Sequence, residues 1–461
     1  MTSLLFILLF ILSIFGSFIV DTQTMIYMWF VYLFGILVST LLNKGEYKTK
    51  AINIYQLLFF SGATYMLMCY AFMTYHNYTY LLAPDIAGYF LPWTENYINE
   101  GSYWAALSEI WKDYNFFNRF HTGYFTYATL FGFIGQIFNA NFYVGQQISV
   151  LFLYPFVGIL IYRLFRLNNF DDVKSYKYTI IISLFSVIFF FSSQILRDIH
   201  ILLLYLMGIY LTFKKDFSIV NLIKIIAIIY INTLFRIETG LFLVVLIPVY
   251  LLLSLKNSKY KILVFAFSVL MLFVLFVISV SYINQIQALF ANNREAYVEG
   301  ITEGSGMIAT FQRIPIIGDF ISIIYNAAQP LPFWARLEYS GKGSLGPEVY
   351  NIMNFPRSFA AFFNWIVIVY IFSWLFIKDI RKRTIGFISK PLKYQLWIGL
   401  IFFFIQSAVV SQRRLMAYYV IYYIFFFIIF NRVDKVNKQY INAVTIISFI
   451  LLQLVGLVYK I

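Results

Sequence analysis

Apolar stretches of about twenty residues recur from one end of this chain to the other, each long enough to cross a hydrocarbon layer of roughly 30 Å as a helix. They fall at 4–20, 25–42, 51–74, 143–162, 178–193, 199–213, 219–234, 241–255, 262–282, 359–377, 394–411, 415–430 and 440–459. Strands of a membrane barrel would alternate apolar and polar positions, and these runs do not. The pattern therefore predicts an all-α polytopic membrane protein with about thirteen transmembrane helices, within a range of 12–14. The first run lacks a basic leader and a small-residue cleavage site, so it reads as a retained span.

Two polar interruptions stand out, one at 75–122 and a larger one at 283–357. They leave the whole chain as a single integral membrane domain carrying two sizeable loops. The segment 123–138 is also apolar. Counting it as a span puts the basic connection after it on the wrong side, so it is read as a re-entrant or interfacial helix, with full crossing as the alternative.

Composition agrees with the pattern: 61% of the 461 residues are hydrophobic and 12% charged, and the mean hydropathy is +0.78. No globular core could hide that much apolar surface. The formal charge of +14 is mainly a topology signal, not a sign of nucleic-acid binding. Lysine-rich connections recur on one side, at Lys44, Lys48 and Lys50, at Arg163, Arg166, Lys174 and Lys177, at Lys214 and Lys215, at Lys256, Lys259 and Lys261, at Lys378 to Lys393, and at Arg432, Lys435 and Lys438. The positive-inside rule makes that side cytoplasmic.

The opposite side carries Arg119, Arg197, Arg236, Arg294, Arg313, Arg336, Arg357, Arg413 and Arg414, against only Lys112 and Lys342. A planar guanidinium matches phosphate with two parallel hydrogen bonds, which an ammonium cannot do. A set of outward cations biased to arginine therefore points to a phosphorylated substrate. Arg197, Arg236, Arg313, Arg336, Arg413 and Arg414 are the candidate phosphate ligands, the last two at the head of a helix whose N–H groups also attract anions.

Candidates for proton transfer are Asp85 in the first outer loop, Asp198 and His200 beside Arg197, and Glu238 beside Arg236. Each has a structural alternative. Asp198 can cap a helix while Arg197 snorkels to headgroups, and Arg236 with Glu238 can form an internal packing pair. The aromatics Trp93, Tyr97, Tyr103 and Trp104 could stack on sugar rings, although belt anchoring is the commoner role of such residues. Cys69 is the single cysteine, so there is no disulfide frame. No His, Cys and carboxylate spacing indicates a metal, and no phosphate-binding or dinucleotide fingerprint is present, so neither metal nor cofactor is expected.

A dozen or more spans, a Phe-, Ile- and Tyr-rich chain, a large late outer loop and outward arginines together resemble the Wzy-type polymerases of O-antigen and capsule repeat units. In that family arginines followed at a distance by glycine recur in outer loops, and here Gly208 follows Arg197. The resemblance implies transfer of a growing glycan from undecaprenyl diphosphate onto the next lipid-linked unit, at the periplasmic face of a bacterial inner membrane. The stretch 85–107, followed by 123–138 and 143–166, is similar to the start of the GT-C membrane glycosyltransferases. That likeness implies GT-C-like architecture, a polyprenyl-phosphate sugar donor and a catalytic acid at Asp85, although here three spans precede the loop. Expected partners are a polyprenyl-diphosphate-linked oligosaccharide, membrane lipid and a chain-length regulator, with no nucleic acid. Two other functions fit the same pattern, a GT-C transferase moving a single sugar and a lipid-linked oligosaccharide flippase.

Overall fold

In the computed structural model, residues 2–76, 103–112, 122–214, 218–236, 355–406 and 412–458 are described, with scattered positions between 239 and 328. Among them no strand occurs. The helices with defined bounds are α1 (Thr2–Ile19), α2 (Thr22–Leu42), α3 (Glu46–Tyr75), α4 (Tyr103–Lys112), α5 (Thr122–Ile137), α6 (Phe142–Leu167), α7 (Asp172–Phe185), α8 (Val187–Phe191), α9 (Asp198–Lys214), α10 (Ile219–Phe235), α11 (Phe355–Phe376), α12 (Lys378–Ile385), α13 (Lys390–Gln406), α14 (Gln412–Arg432) and α15 (Lys435–Val458). Among the described residues, six stretches are long and apolar enough to cross a membrane: Thr22–Leu42, Glu46–Tyr75, Phe142–Leu167, Phe355–Phe376, Leu415–Arg432 and Lys435–Val455. Ser3–Ile19 and Ile219–Phe235 are shorter apolar helices. The chain is an all-α membrane protein.

Short polar residues punctuate these helices. Asp21 accepts from the Thr24 N–H at 2.5 Å and starts α2, Asn141 accepts from the Val144 N–H at 3.2 Å and starts α6, and Asp171 accepts from the Lys174 N–H at 2.8 Å and starts α7. Each satisfies a donor that the first helical turn leaves open. The run expected as one span at 178–193 is broken. Ser186 adopts extended backbone (φ −105°, ψ 173°), and its hydroxyl accepts from the Ile188 N–H at 3.3 Å, separating α7 from α8.

The chain divides into two compact units, one comprising Met1–Tyr210, Ile226–Leu241 and Arg336–Arg357, the other Leu211–Ile225, Phe242–Ala335 and Ser358–Ile461. In the first, α6 is central, with 78% of its apolar window buried against 39% for α2. It meets α3 closely because both contribute glycine at the contact. A methyl on Gly62 would strike Leu151 of α6, and a methyl on Gly158 would strike Leu58 of α3. Small residues of this kind let membrane helices approach where apolar burial alone gives no drive.

The two ends of this unit differ in polarity. At one end the Arg163 guanidinium donates to the Leu42 carbonyl at 2.9 Å and the Asn43 side chain at 2.6 Å, Lys50 pairs with Asp172 at 3.0 Å, and the Tyr162 hydroxyl donates to Asp172. The basic α2–α3 and α6–α7 connections therefore share an end. At the other end, the Asn141 N–H donates to the Thr24 hydroxyl at 2.7 Å, tying the α5–α6 turn to the α1–α2 turn. Thus α3 runs toward that second end and α6 starts from it.

In the second unit α14 is central, again with 78% of its window buried, against 22% for α15. Phe363, Tyr370 and Trp374 of α11 pack on Tyr423, Phe426 and Phe425 of α14 at 5.1 Å between ring centres. Asn364 accepts from the Tyr423 hydroxyl at 2.6 Å and donates to the Ala327 carbonyl at 3.0 Å, so its buried amide is matched on both sides. On α15, Ser448 takes the Trp365 N–H at 2.9 Å and Asn442 the Tyr370 hydroxyl at 2.8 Å. The basic connections share an end here too: Arg383 pairs with Asp434 at 2.8 Å and Arg432 lies 3.4 Å over the Phe387 ring.

Candidate functional site

The polar residues at 197–200 and 236, read from sequence as separate turns, meet at one place. Following α8, the chain runs non-helically through Ser192 to Arg197 and re-enters a helix at Asp198. A carboxylate in a first helical turn is favoured by the positive end of the helix dipole. The antiparallel helix α10 ends at Phe235, which brings Arg236 opposite. The Arg236 guanidinium lies 3.0 Å from the Asp198 carboxylate, with side-chain exposures of 7% and 1%. At that burial the pair is shielded from water and salt.

Two further bonds tie the same helix ends. Arg197 donates to the Phe235 carbonyl at 2.9 Å, one of the carbonyls a helix C-terminus leaves without an internal partner. One turn along, the Asn232 amide donates to the Ile201 carbonyl at 3.4 Å. Among the described residues, two guanidiniums and one carboxylate give this cluster one net positive charge, beside the N-terminus of α9.

His200 sits a turn inside, buried to 3% exposure. Its ring stacks on Phe235 at 5.0 Å and meets the edges of Tyr127 at 4.4 Å and Tyr124 at 5.6 Å. Its imidazole lies within reach of the Leu196 and Arg197 backbone, although neither nitrogen makes a hydrogen bond of good geometry, a costly state for a buried polar group. Both tyrosines come from α5, whose N-terminus can approach because Gly123 has no side chain. A methyl there would lie 2.9 Å from the Phe235 ring and 3.1 Å from the Leu234 Cβ. The Tyr127 hydroxyl is anchored on the Ser149 carbonyl of α6 at 2.7 Å.

The depth of the cluster follows from the neighbouring packing. The Ser192 hydroxyl lies 3.6 Å from the position a Gly62 Cβ would occupy, near the middle of α3, so the segment leading into Arg197 starts well inside the length of that helix.

Arg236 pairs with Asp198; Glu238, and with it the expected Arg236–Glu238 packing pair, lies outside the described residues. So do Asp85, Arg313 and Arg336. Arg413 is half-buried at the start of α14, while for Arg414 only the helical backbone is described. Of the ten residues singled out from sequence, the structure brings together Arg197, Asp198, His200 and Arg236. Tyr124, Tyr127, Gly123 and Asn232 were not anticipated. Asn232 carried a readable signal, being an amide inside an apolar run. The tyrosines carried none, since aromatics are everywhere in this chain.

Comparison of the chain with protein-family models, with curated proteins and with solved structures finds no match.

Proposed function

We propose that this protein is a metal-independent glycosyltransferase acting on polyprenyl-diphosphate-linked glycans, and that it polymerises O-antigen or capsule repeat units at the periplasmic face of a bacterial inner membrane. The observation that carries this reading is the gathering of Arg197, Arg236, Asp198 and His200 at one end of the α9–α10 pair, away by sequence from the lysines at 214 and 215. The reading takes about thirteen spans in a GT-C-like arrangement, with 123–138 re-entrant. That α3 ends and α6 begins at the same end of their unit supports the last point.

The cluster suggests a division of labour. Its net positive charge and the α9 N-terminus would stabilise the diphosphate as it leaves the anomeric carbon. Asp198, engaged with Arg236, holds that guanidinium in place. His200 is then the described group suited to take the proton of the acceptor hydroxyl. Asp85 and Glu238 remain candidates for the same role.

Deletion of the gene, followed by gel profiling of surface polysaccharide, tests the reading. A polymerase leaves a single repeat unit on the lipid anchor. Loss of a branch with chain length intact would indicate a single-sugar transferase instead. Arg197→Lys, Arg236→Lys, Arg313→Lys and Arg336→Lys sharpen the test: at least two should fail, and four active variants would refute the phosphate-clamp idea. A second reading is a lipid-linked oligosaccharide flippase: the non-helical segment that leads into the cluster starts at Ser192, beside the middle of α3, and broken helices deep in the bundle mark transport paths. Deletion of a flippase would strand complete units on the cytoplasmic leaflet.

A further inference from the structure

A second polar site lies at the α5–α6 turn. Gly132, Gly135 and Gly145 help form a cleft of about 250 Å³ there, which Phe131, Phe142, Gln136, Asn139, Asn141 and Gln146 also line. None of its lining residues is ionisable, in contrast to the arginine cluster.

Gln146, at the start of α6, is 2% exposed. Its amide nitrogen donates to the Ala128 carbonyl at 3.1 Å, and its oxygen has no partner. That oxygen is sealed from solvent, so Gln146 shapes the wall, and the amides that can meet a ligand are the exposed ones. Asn139 and Gln136 stand exposed at the rim. Asn139 has φ +52°, a left-handed conformation that asparagine tolerates better than most residues.

Side-chain amides both donate and accept, which matches a ring bearing several hydroxyls, and the two phenylalanines offer apolar surface for its C–H face. An anion would find no countercharge, and an acyl chain would strand the amides. The volume falls below the roughly 300–1,000 Å³ of pockets for drug-sized ligands, so it suits one sugar ring. We infer that this cleft is a neutral-sugar subsite, with Asn139 and Gln136 at its rim as the hydrogen-bonding groups, over a glycine floor that Gln146 backs. It rests on the proposed glycan chemistry only in taking that ring to belong to the lipid-linked substrate.

The test is saturation-transfer NMR on the purified full-length protein, with methyl glycosides of glucose, galactose, mannose, rhamnose and N-acetylglucosamine at millimolar concentration. At least one should bind. Asn139→Gly removes one amide while suiting the backbone, so its melting temperature should hold while binding weakens about three- to tenfold, the value of one hydrogen bond. Gly145→Leu should fill the cleft and abolish binding; a methyl at Gly145 would meet only Ala140 and Tyr27 at 3.8 Å, so the first atom of the new side chain is accommodated. Absence of binding by every glycoside overturns the subsite, as does unchanged binding in both variants. The outcome is separable from that of the glycosyltransferase reading. If deletion shortens the surface polysaccharide but both cleft variants restore it fully, the subsite falls and the transferase stands. If deletion alters no glycan while the binding results come out as expected, the transferase falls and the subsite stands.

Discussion

Changing Asp198→Leu leaves the Arg236 guanidinium charged, with 7% of its side chain exposed, and removes its Asp198 countercharge. Breaking one half of a buried pair costs about 3–5 kcal/mol, because the remaining ion has lost both water and partner. Exposed pairs are worth about 0–1 kcal/mol, so the 1% exposure of the Asp198 side chain decides which figure applies. Against a total stability of about 5–15 kcal/mol, this single change should remove a large part of the margin. Arg236→Met should do similar damage. The double variant Asp198→Leu with Arg236→Met removes both charges and should recover most of the loss, since apolar replacement of a buried pair is commonly neutral or stabilising. A double-mutant cycle from reversible unfolding in mixed micelles therefore predicts strong coupling, with the double variant far more stable than the sum of the singles. Singles costing under about 1 kcal/mol, or a double that simply adds them, would refute the buried-pair account. If the pair also serves the chemistry, the stable double variant should still fail to lengthen surface glycan.

Three further outcomes are expected. Gly123→Ala places a methyl 2.9 Å from the Phe235 ring, so it should cost about 1–3 kcal/mol by overpacking and alter the near-ultraviolet signal of the tyrosines around His200; an unchanged melt would contradict the close approach of α5. Asn364→Leu strands the Tyr423 hydroxyl and the Ala327 carbonyl together, and should lower stability by about 1–3 kcal/mol, read by thermal unfolding. The Asp434 carboxyl, between α14 and α15, is held below the ordinary carboxylate range by the Asn437 backbone N–H first, then the Asn437 side chain and Arg383. A depressed folded value makes the contribution present above the unfolded value of about 3.9 and lost as pH falls through the folded one. The melting difference between wild type and Asp434→Ala should accordingly hold at neutral pH and shrink below about pH 4; a gap that widens in acid would reverse the sign.

Much of the helical framework was legible because twenty-residue apolar runs admit few other fates, and the lysine connections already marked one end. The break at Ser186 was not, since one serine in an apolar run is too mild a signal. At the site, Arg197, Asp198, His200 and Arg236 were conspicuous as charges at the edges of apolar runs. Their meeting was not, because it depends on the register between α9 and α10, which neither helix encodes alone. The pairing of Asp198 with Arg236 runs across two helix ends, a contact that sequence proximity does not suggest. The cleft at the α5–α6 turn was hidden for another reason: glycine, asparagine and glutamine near a turn resemble any loop, and only the fold gathers them around one cavity.

The Asp198–Arg236 bond joins positions 38 residues apart, and that separation has an evolutionary meaning. Either residue alone is a burden, so descent should keep both or discard both, whatever happens to the surrounding apolar letters. Distant kin, whose hydrophobic positions have drifted beyond alignment, could be sought by this correlated couple, with a glycine where α5 begins.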